Sequence, residues 1–293
     1  VKTTGSVFDP RIAPTGDRIA HVSGKALRIV DLDGEDFELA GPTTLNEPAH
    51  VSWGSAEFVA AEEMNRYRGY WWAPAGHHIA ACRVDESPIV EWFIADPAHP
   101  ERQPTAIRYP AAGTNNALVS LYVIHVIDSA RVAITWDVES FPYLTTVEWI
   151  DDDSLLLSVC ARDQQTIVVL RASASDGTTT ELWRDSNNTW VDLVPGSPAL
   201  TKSAQLVVVA DRDDVKRILV DGNAVTPTSL NIRSLVSVSD DTIVFMANEI
   251  THPEAASAWK WTPSSLEALT ALDGNHSIAI GGPTQVVRRA SIN

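Results

Sequence analysis

The sequence predicts an all-β fold, a β-propeller of four-stranded blades interrupted by one short helical insertion at about residues 55–68. Three observations point there. Short β-branched or alternating apolar runs dominate the chain. The turn dipeptides Asp33-Gly34, Asp176-Gly177, Asp221-Gly222 and Asp273-Gly274 punctuate them. A degenerate turn-then-strand repeat also recurs, and all-β repeats of about 40–50 residues have the size of propeller blades.

Taken in order, strands are expected at residues 26–31, 89–94, 118–127, 154–159, 166–172, 205–210, 217–220 and 242–247. The repeat is clearest where Ala13-Pro14-Thr15-Gly16-Asp17-Arg18-Ile19-Ala20 returns as Ala73-Pro74-Ala75-Gly76-His77-His78-Ile79-Ala80. Weaker copies begin at Trp149 and Ser237, each a polar turn feeding an apolar strand. At this period the chain holds roughly six or seven blades, and residues 1–293 read as one propeller domain. The distances from Ile19 to Ile79 and from Ile79 to Leu155 exceed one repeat, which implies insertions or a blade without a visible signature. An all-β sandwich is the alternative architecture.

Residues 55–68 break the β pattern. They are rich in helix formers and lack Gly and Pro, with Ser55 placed to cap a helix and Gly69 to end it. A helix inserted into a rigid β scaffold is a natural place for function.

Composition removes several classes of function. Hydrophobic residues make up 44% and charged residues 20%, as in ordinary globular chains. No apolar run reaches the ~18 residues of a membrane-spanning helix, so no membrane partner is expected. A net charge of −16 repels nucleic acid and favours cationic ligands, among them the protonated amino end of a peptide. Cys82 and Cys160, both in apolar runs, read as buried free thiols, which fits a reducing, cytoplasmic compartment. The sequons at Asn187 and Asn275 are of a kind that arises by chance. No signal peptide begins the chain, and because it opens on Val1 its native N-terminus is expected upstream.

No metal or cofactor is expected. His77-His78 lacks a third ligand at metal spacing, and Asp151-Asp152-Asp153 lacks the spacing of a calcium-binding loop. Trp71-Trp72 reads as blade core.

The stretch Trp53-Gly54-Ser55-Ala56-Glu57-Phe58-Val59-Ala60-Ala61-Glu62-Glu63-Met64 resembles the double-glutamate motif of the dipeptidyl peptidase IV family. The next residues, Gly69-Tyr70-Trp71-Trp72-Ala73-Pro74-Ala75-Gly76, resemble the blade start that follows that motif. Arg83-Val84-Asp85-Glu86 and the run from Arg108 to Asn116 are also similar to the family. The likeness is strong from Arg11 to about Ile127; beyond that it is a general blade pattern. It implies an eight-bladed propeller, incomplete here, joined in the same polypeptide to a C-terminal α/β-hydrolase domain that carries Ser, Asp and His. The nucleophile of such a domain sits in a Gly-x-Ser-x-Gly elbow. This sequence contains no such elbow, so the catalytic half is expected outside it and the chain alone is expected to be inactive.

The resemblance assigns Glu62 and Glu63 to the α-ammonium of a peptide with a free N-terminus. The chemistry is sound: an α-ammonium is largely charged at neutral pH, and two carboxylates can accept two of its N–H donors. Adjacent helical residues diverge by about 100°, so the pair can straddle a cation but cannot flank a sugar bond as facing acid and base. Arg83, Asp85 and Glu86 are candidates to brace the double-glutamate helix, against the plainer reading of surface ion pairs. The implied function is substrate gating and amine recognition for a serine dipeptidyl peptidase. The alternatives are a non-catalytic propeller that binds a protein or ligand, and a pseudo-peptidase whose hydrolase half lacks its serine. Unpaired strand edges of an unclosed ring would favour a homodimer.

Overall fold

A computed structural model describes residues 3 and 5–290. The chain forms two compact units, one of Val1–Arg162 with Leu170–Glu181, the other of Asp163–Val169 with Leu182–Asn293.

In the first unit, the first sheet orders Phe8–Ile12, Arg18–Ser23, Ala26–Asp31 and Asp36–Ala40, each strand antiparallel to the next in sequence. The second sheet runs Arg131–Ile134, Leu118–His125, His78–Asp85, and then two short strands, Val51–Trp53 and Tyr70–Trp72, both paired with His78–Asp85. A separate two-stranded sheet, Glu91–Ile94 with Thr105–Arg108, leaves the chain between the strands His78–Asp85 and Leu118–His125. The core of this unit gathers Leu27, Ile29, Leu39, Trp53, Tyr70, Ile79 and Ile124, all essentially removed from water. Each such side chain contributes roughly 1.5–3 kcal/mol of transfer free energy, so the two sheets are firmly joined.

A third sheet orders Tyr143–Asp151, Ser154–Cys160, Thr166–Ser173 and Thr179–Ser186. Ser154–Cys160 is buried at every position, as its continuous apolar run demands of an interior strand. In the second unit, one sheet orders Ala199–Leu200, Leu206–Arg212, Val215–Val220 and Asn223–Ala224, and another Leu230–Val238, Ile243–Glu249, Ser257–Thr262 and Ser265–Ala268. Val207, Val209, Ile218, Ile232 and Phe245 form its core. A two-stranded sheet, Asn275–Gly281 with Thr284–Ala290, follows.

Four-stranded antiparallel meanders are the blade unit of a propeller, and the all-β expectation holds. The strands expected at residues 26–31, 118–127, 154–159, 166–172 and 242–247 are present within two residues at each end. Asp221-Gly222 makes the tight turn expected of it, with φ of 47° and 80°, the doubly left-handed geometry that joins hairpin strands without splaying them. Asp273-Gly274 instead precedes Asn275–Gly281 in a longer connection. The uneven repeat has a physical cause. The excursion at residues 55–68 lengthens the first interval, and the Glu91–Ile94/Thr105–Arg108 hairpin lengthens the second. Among the described residues no helix is long and apolar enough to cross a membrane.

Candidate functional site

Val51–Trp53 and Tyr70–Trp72 are two halves of one interrupted edge strand. Both pair with His78–Asp85, and the break falls opposite Cys82. There the Cys82 N–H donates to the Gly69 carbonyl at 2.8 Å, and the Cys82 carbonyl accepts from the Gly54 N–H at 2.9 Å. The chain between those glycines leaves and re-enters the sheet at a single residue. Ser55 and Arg68 bridge across its mouth. Gly69 is required there: a Cβ on it would sit 2.5 Å from the Gly54 carbonyl carbon and closer still to the Ser55 backbone.

The helix inside this excursion is Phe58–Glu63, shorter than the expected 55–68. Ser55 is held in the bridge and cannot cap it. Glu57 does: its carboxylate accepts from the N–H groups of Val59 at 2.5 Å and Ala60 at 2.8 Å. Gly69 does not end it either. Met64 is the C-cap, and Asn65, with φ of 53°, turns the chain through the left-handed region.

Glu62 and Glu63 occupy the last turn of this helix, and both are exposed. Neither carboxylate has a hydrogen-bond or ion-pair partner among the described residues. Their placement is electrostatically unfavourable, because the C-terminal end of a helix carries about half a negative charge and no basic residue shares the last turn.

The remaining candidates lie elsewhere. Arg83 grips Glu47 with two bonds of 2.7 Å, and Glu47 also accepts from the Trp53 indole at 3.1 Å. This pairing holds the Glu47 carboxyl below its usual range. Asp85 lies 3.6 Å from His50, and Glu86 lies 3.7 Å from Lys25. The partners of all three are thus outside Phe58–Glu63. Trp71 is buried, and its carbonyl accepts from the Trp149 indole at 3.0 Å, a blade-core role. The His78 ring lies 5.1 Å from that of His125, which bonds Asp128, and no three His, Cys, Asp or Glu side chains among the described residues converge on a metal position. Asp151 bonds the Asp153 N–H and Ser154 hydroxyl, a turn role, and Asp152 accepts from the distant Ala75 N–H, a link between two turns. Neither Cys82 nor Cys160 is in a disulfide, both are buried, and burial pushes the Cys82 thiol up.

The sequence matches the family model described as "Dipeptidyl peptidase IV (DPP IV) N-terminal region" over residues 1–284. The chain belongs to that family. Its fold is similar to the crystal structure of Porphyromonas gingivalis dipeptidyl peptidase 4, with a TM-score of 0.82 and 18% identity, covering 96% of this chain and 41% of that one. Dipeptidyl aminopeptidase B of Saccharomyces cerevisiae is 25% identical over 174 residues, 57% of this chain and 20% of the relative. Inactive dipeptidyl peptidase 10 of Rattus norvegicus is 20% identical over 157 residues, 51% of this chain and 20% of the relative. The chain thus spans about a fifth of the length of these two relatives.

Within this dipeptidyl peptidase IV N-terminal region, sequence reasoning missed the groups that hold the helix. Glu57 is one; a Glu two residues before a helical amide was a capping signal that Ser55 obscured. Arg66 is another, because a basic residue in a polar run gives no sign of being buried. The third is aromatic. Phe58 meets the Tyr109 ring edge-on at 5.1 Å, and Tyr109 meets Trp92 at 6.2 Å, linking the helix to the two-stranded hairpin.

Proposed function

We propose that this chain is the substrate-gating, amine-recognising region of a serine dipeptidyl peptidase, and that Glu62 and Glu63 hold the α-ammonium of a peptide's free N-terminus. The observation that carries this reading is the unpaired double carboxylate at the helix end, on an excursion whose two ends are pinned to one residue of a rigid sheet. An ammonium donates in three directions and bears the charge that both the carboxylates and the helix terminus favour. Anchoring the amine sets a fixed distance to the bond that is cut, which is how an enzyme counts residues from an N-terminus. The nucleophile, its histidine and its aspartate would come from a C-terminal α/β-hydrolase domain of the same polypeptide; the family match and the fraction of each relative covered support that arrangement.

In the full-length protein, Glu62→Gln or Glu63→Gln should lower kcat/KM on free-amine peptides about ten- to a hundred-fold, the loss of one charge-assisted bond. Melting should be unchanged, since these side chains are exposed and unpartnered. Full activity in both variants would end the proposal. The second reading, a propeller without a working catalytic partner, is favoured by one observation, the match to a relative named inactive.

A homodimer is proposed as well. Glu91–Ile94 and Thr105–Arg108 form a sheet of only two strands, with exposed Trp92, Phe93, Ile94 and Ile107. Such a ribbon offers unpaired edges, and a second copy presents the complementary edge by symmetry.

A further inference from the structure

Phe58–Glu63 is six residues long, about one and a half turns, and a helix of that length does not persist in water by its own hydrogen bonds. Something must fix the direction in which Glu62 and Glu63 point. Arg66, in the return limb of the excursion, is 7% exposed although it carries a full charge. Its backbone N–H donates to the Ala60 carbonyl at 2.9 Å, closing the C-terminal end of the helix. Its guanidinium Nε donates to the Leu144 carbonyl of the third sheet at 2.9 Å. One Nη donates to the Arg68 carbonyl at 2.7 Å and lies 3.8 Å from Cys82 Sγ, the residue that pins both ends of the excursion. Glu57, 8% exposed, is the second buried charge of the excursion, and its carboxylate caps the N-terminal end of the same helix. Burial raises the Glu57 carboxyl, and the Arg66 charge opposes that rise.

We infer that Arg66 is a positioning residue for amine recognition: with Glu57 it forms a buried charged clamp that fixes both ends of Phe58–Glu63 and so aims Glu62 and Glu63. The inference rests on the proposed function of those two glutamates. A guanidinium suits the task because its planar fork can bond the third sheet, the return limb and the thiol side of the second sheet at once, which a lysine cannot. Neither clamp residue touches the substrate. Their effect is on where the carboxylates stand, and misplacement of an anchoring group by about 1 Å is worth up to about a hundred-fold in rate.

The test compares free-amine and N-acetylated forms of one dipeptidyl substrate in the full-length protein, for the wild type, Arg66→Met, Arg66→Lys, Glu57→Gln and Arg28→Met. Arg28 carries a largely buried ion pair, 2.8 Å to Asp36, in the first sheet, and controls for lost stability alone. The clamp predicts that Arg66→Lys and Glu57→Gln raise KM for the free amine about tenfold or more at nearly constant kcat and shrink the preference over the acetylated form. Arg66→Met should do the same more severely, and if it does not fold the decision rests on Arg66→Lys and Glu57→Gln. Arg28→Met should melt earlier with its preference intact. An undiminished preference in Arg66→Lys and Glu57→Gln overturns the clamp while leaving the glutamate reading standing. A wild type with no preference removes the glutamate reading itself, and the clamp with it.

Discussion

Replacing Gly69 with alanine adds one methyl group at the point where the excursion re-enters the sheet. The added Cβ would stand 2.5 Å from the Gly54 carbonyl carbon and nearer to the Ser55 backbone. These are main-chain atoms, held by the bonds that tie Gly54 and Gly69 to Cys82, so no side chain can rotate out of the way. Relief requires the edge strand to separate from Cys82. That forfeits backbone bonds worth about 1 kcal/mol each and adds overpacking of typically 1–3 kcal/mol, a loss of about 3 kcal/mol or more. A domain of this size loses roughly 2–4 °C in melting temperature per kcal/mol, so the transition should fall by about 6–12 °C. Differential scanning calorimetry of the chain reads this directly. Gly281→Ala is the control, since nothing lies near its added Cβ and its backbone is not left-handed; it should change stability by no more than about 0.5 kcal/mol. Equal melting of Gly69→Ala and the wild type would refute the pinned-excursion geometry.

Two further outcomes are expected. His21 is fully buried and neither ring nitrogen has a hydrogen-bond partner among the described residues; burial lowers its pKa, Asp36 opposes the shift and the Arg28 charge adds to it. The unfolded chain therefore binds a proton that the folded chain refuses, so stability is full above the free imidazole value of about 6.5 and falls as pH drops below it; His21→Leu should flatten this slope in melting curves between pH 7 and 5, and an unchanged slope would show that His21 is not its source. For the hairpin, sedimentation should find a dimer that Trp92→Ser with Phe93→Ser converts to monomer; a wild type that stays monomeric at high concentration, or a variant that stays dimeric, would end the homodimer proposal.

The fold was largely legible because blade strands advertise themselves locally. Ala26–Asp31 and Thr166–Ser173 are apolar, partly β-branched runs followed by Asp-Gly turns, and both the strands and the left-handed turn glycines Gly34 and Gly177 are present in the structure. Thr105–Arg108 was invisible by the same logic: it is short, exposed and packs on no core, so it has no burial pattern to leave in the sequence. The helical excursion was legible as an element but not in its bounds. Helix propensity runs smoothly through residues 55–68, whereas the helix itself is confined to Phe58–Glu63 by the Glu57 cap at one end and the left-handed Asn65 after the other. Glu62 and Glu63 were singled out through their motif, and both stand exposed in the last turn of Phe58–Glu63. The clamp was not, because the Arg66 guanidinium is held by the carbonyl of Leu144, 78 residues away.

The proposed recognition of a charged α-amine by Glu62 and Glu63 is open to direct test. The most direct measurement is kcat/KM of the full-length wild-type protein on one peptide substrate with its amine free and with the same amine acetylated. Acetylation removes the charge and two of the three N–H donors without altering the bond to be cut. The acetylated peptide should be a poor substrate, by about a hundred-fold, with the deficit largely erased when Glu62 and Glu63 are both replaced by glutamine. Equal cleavage of the two peptides by the wild type would contradict it.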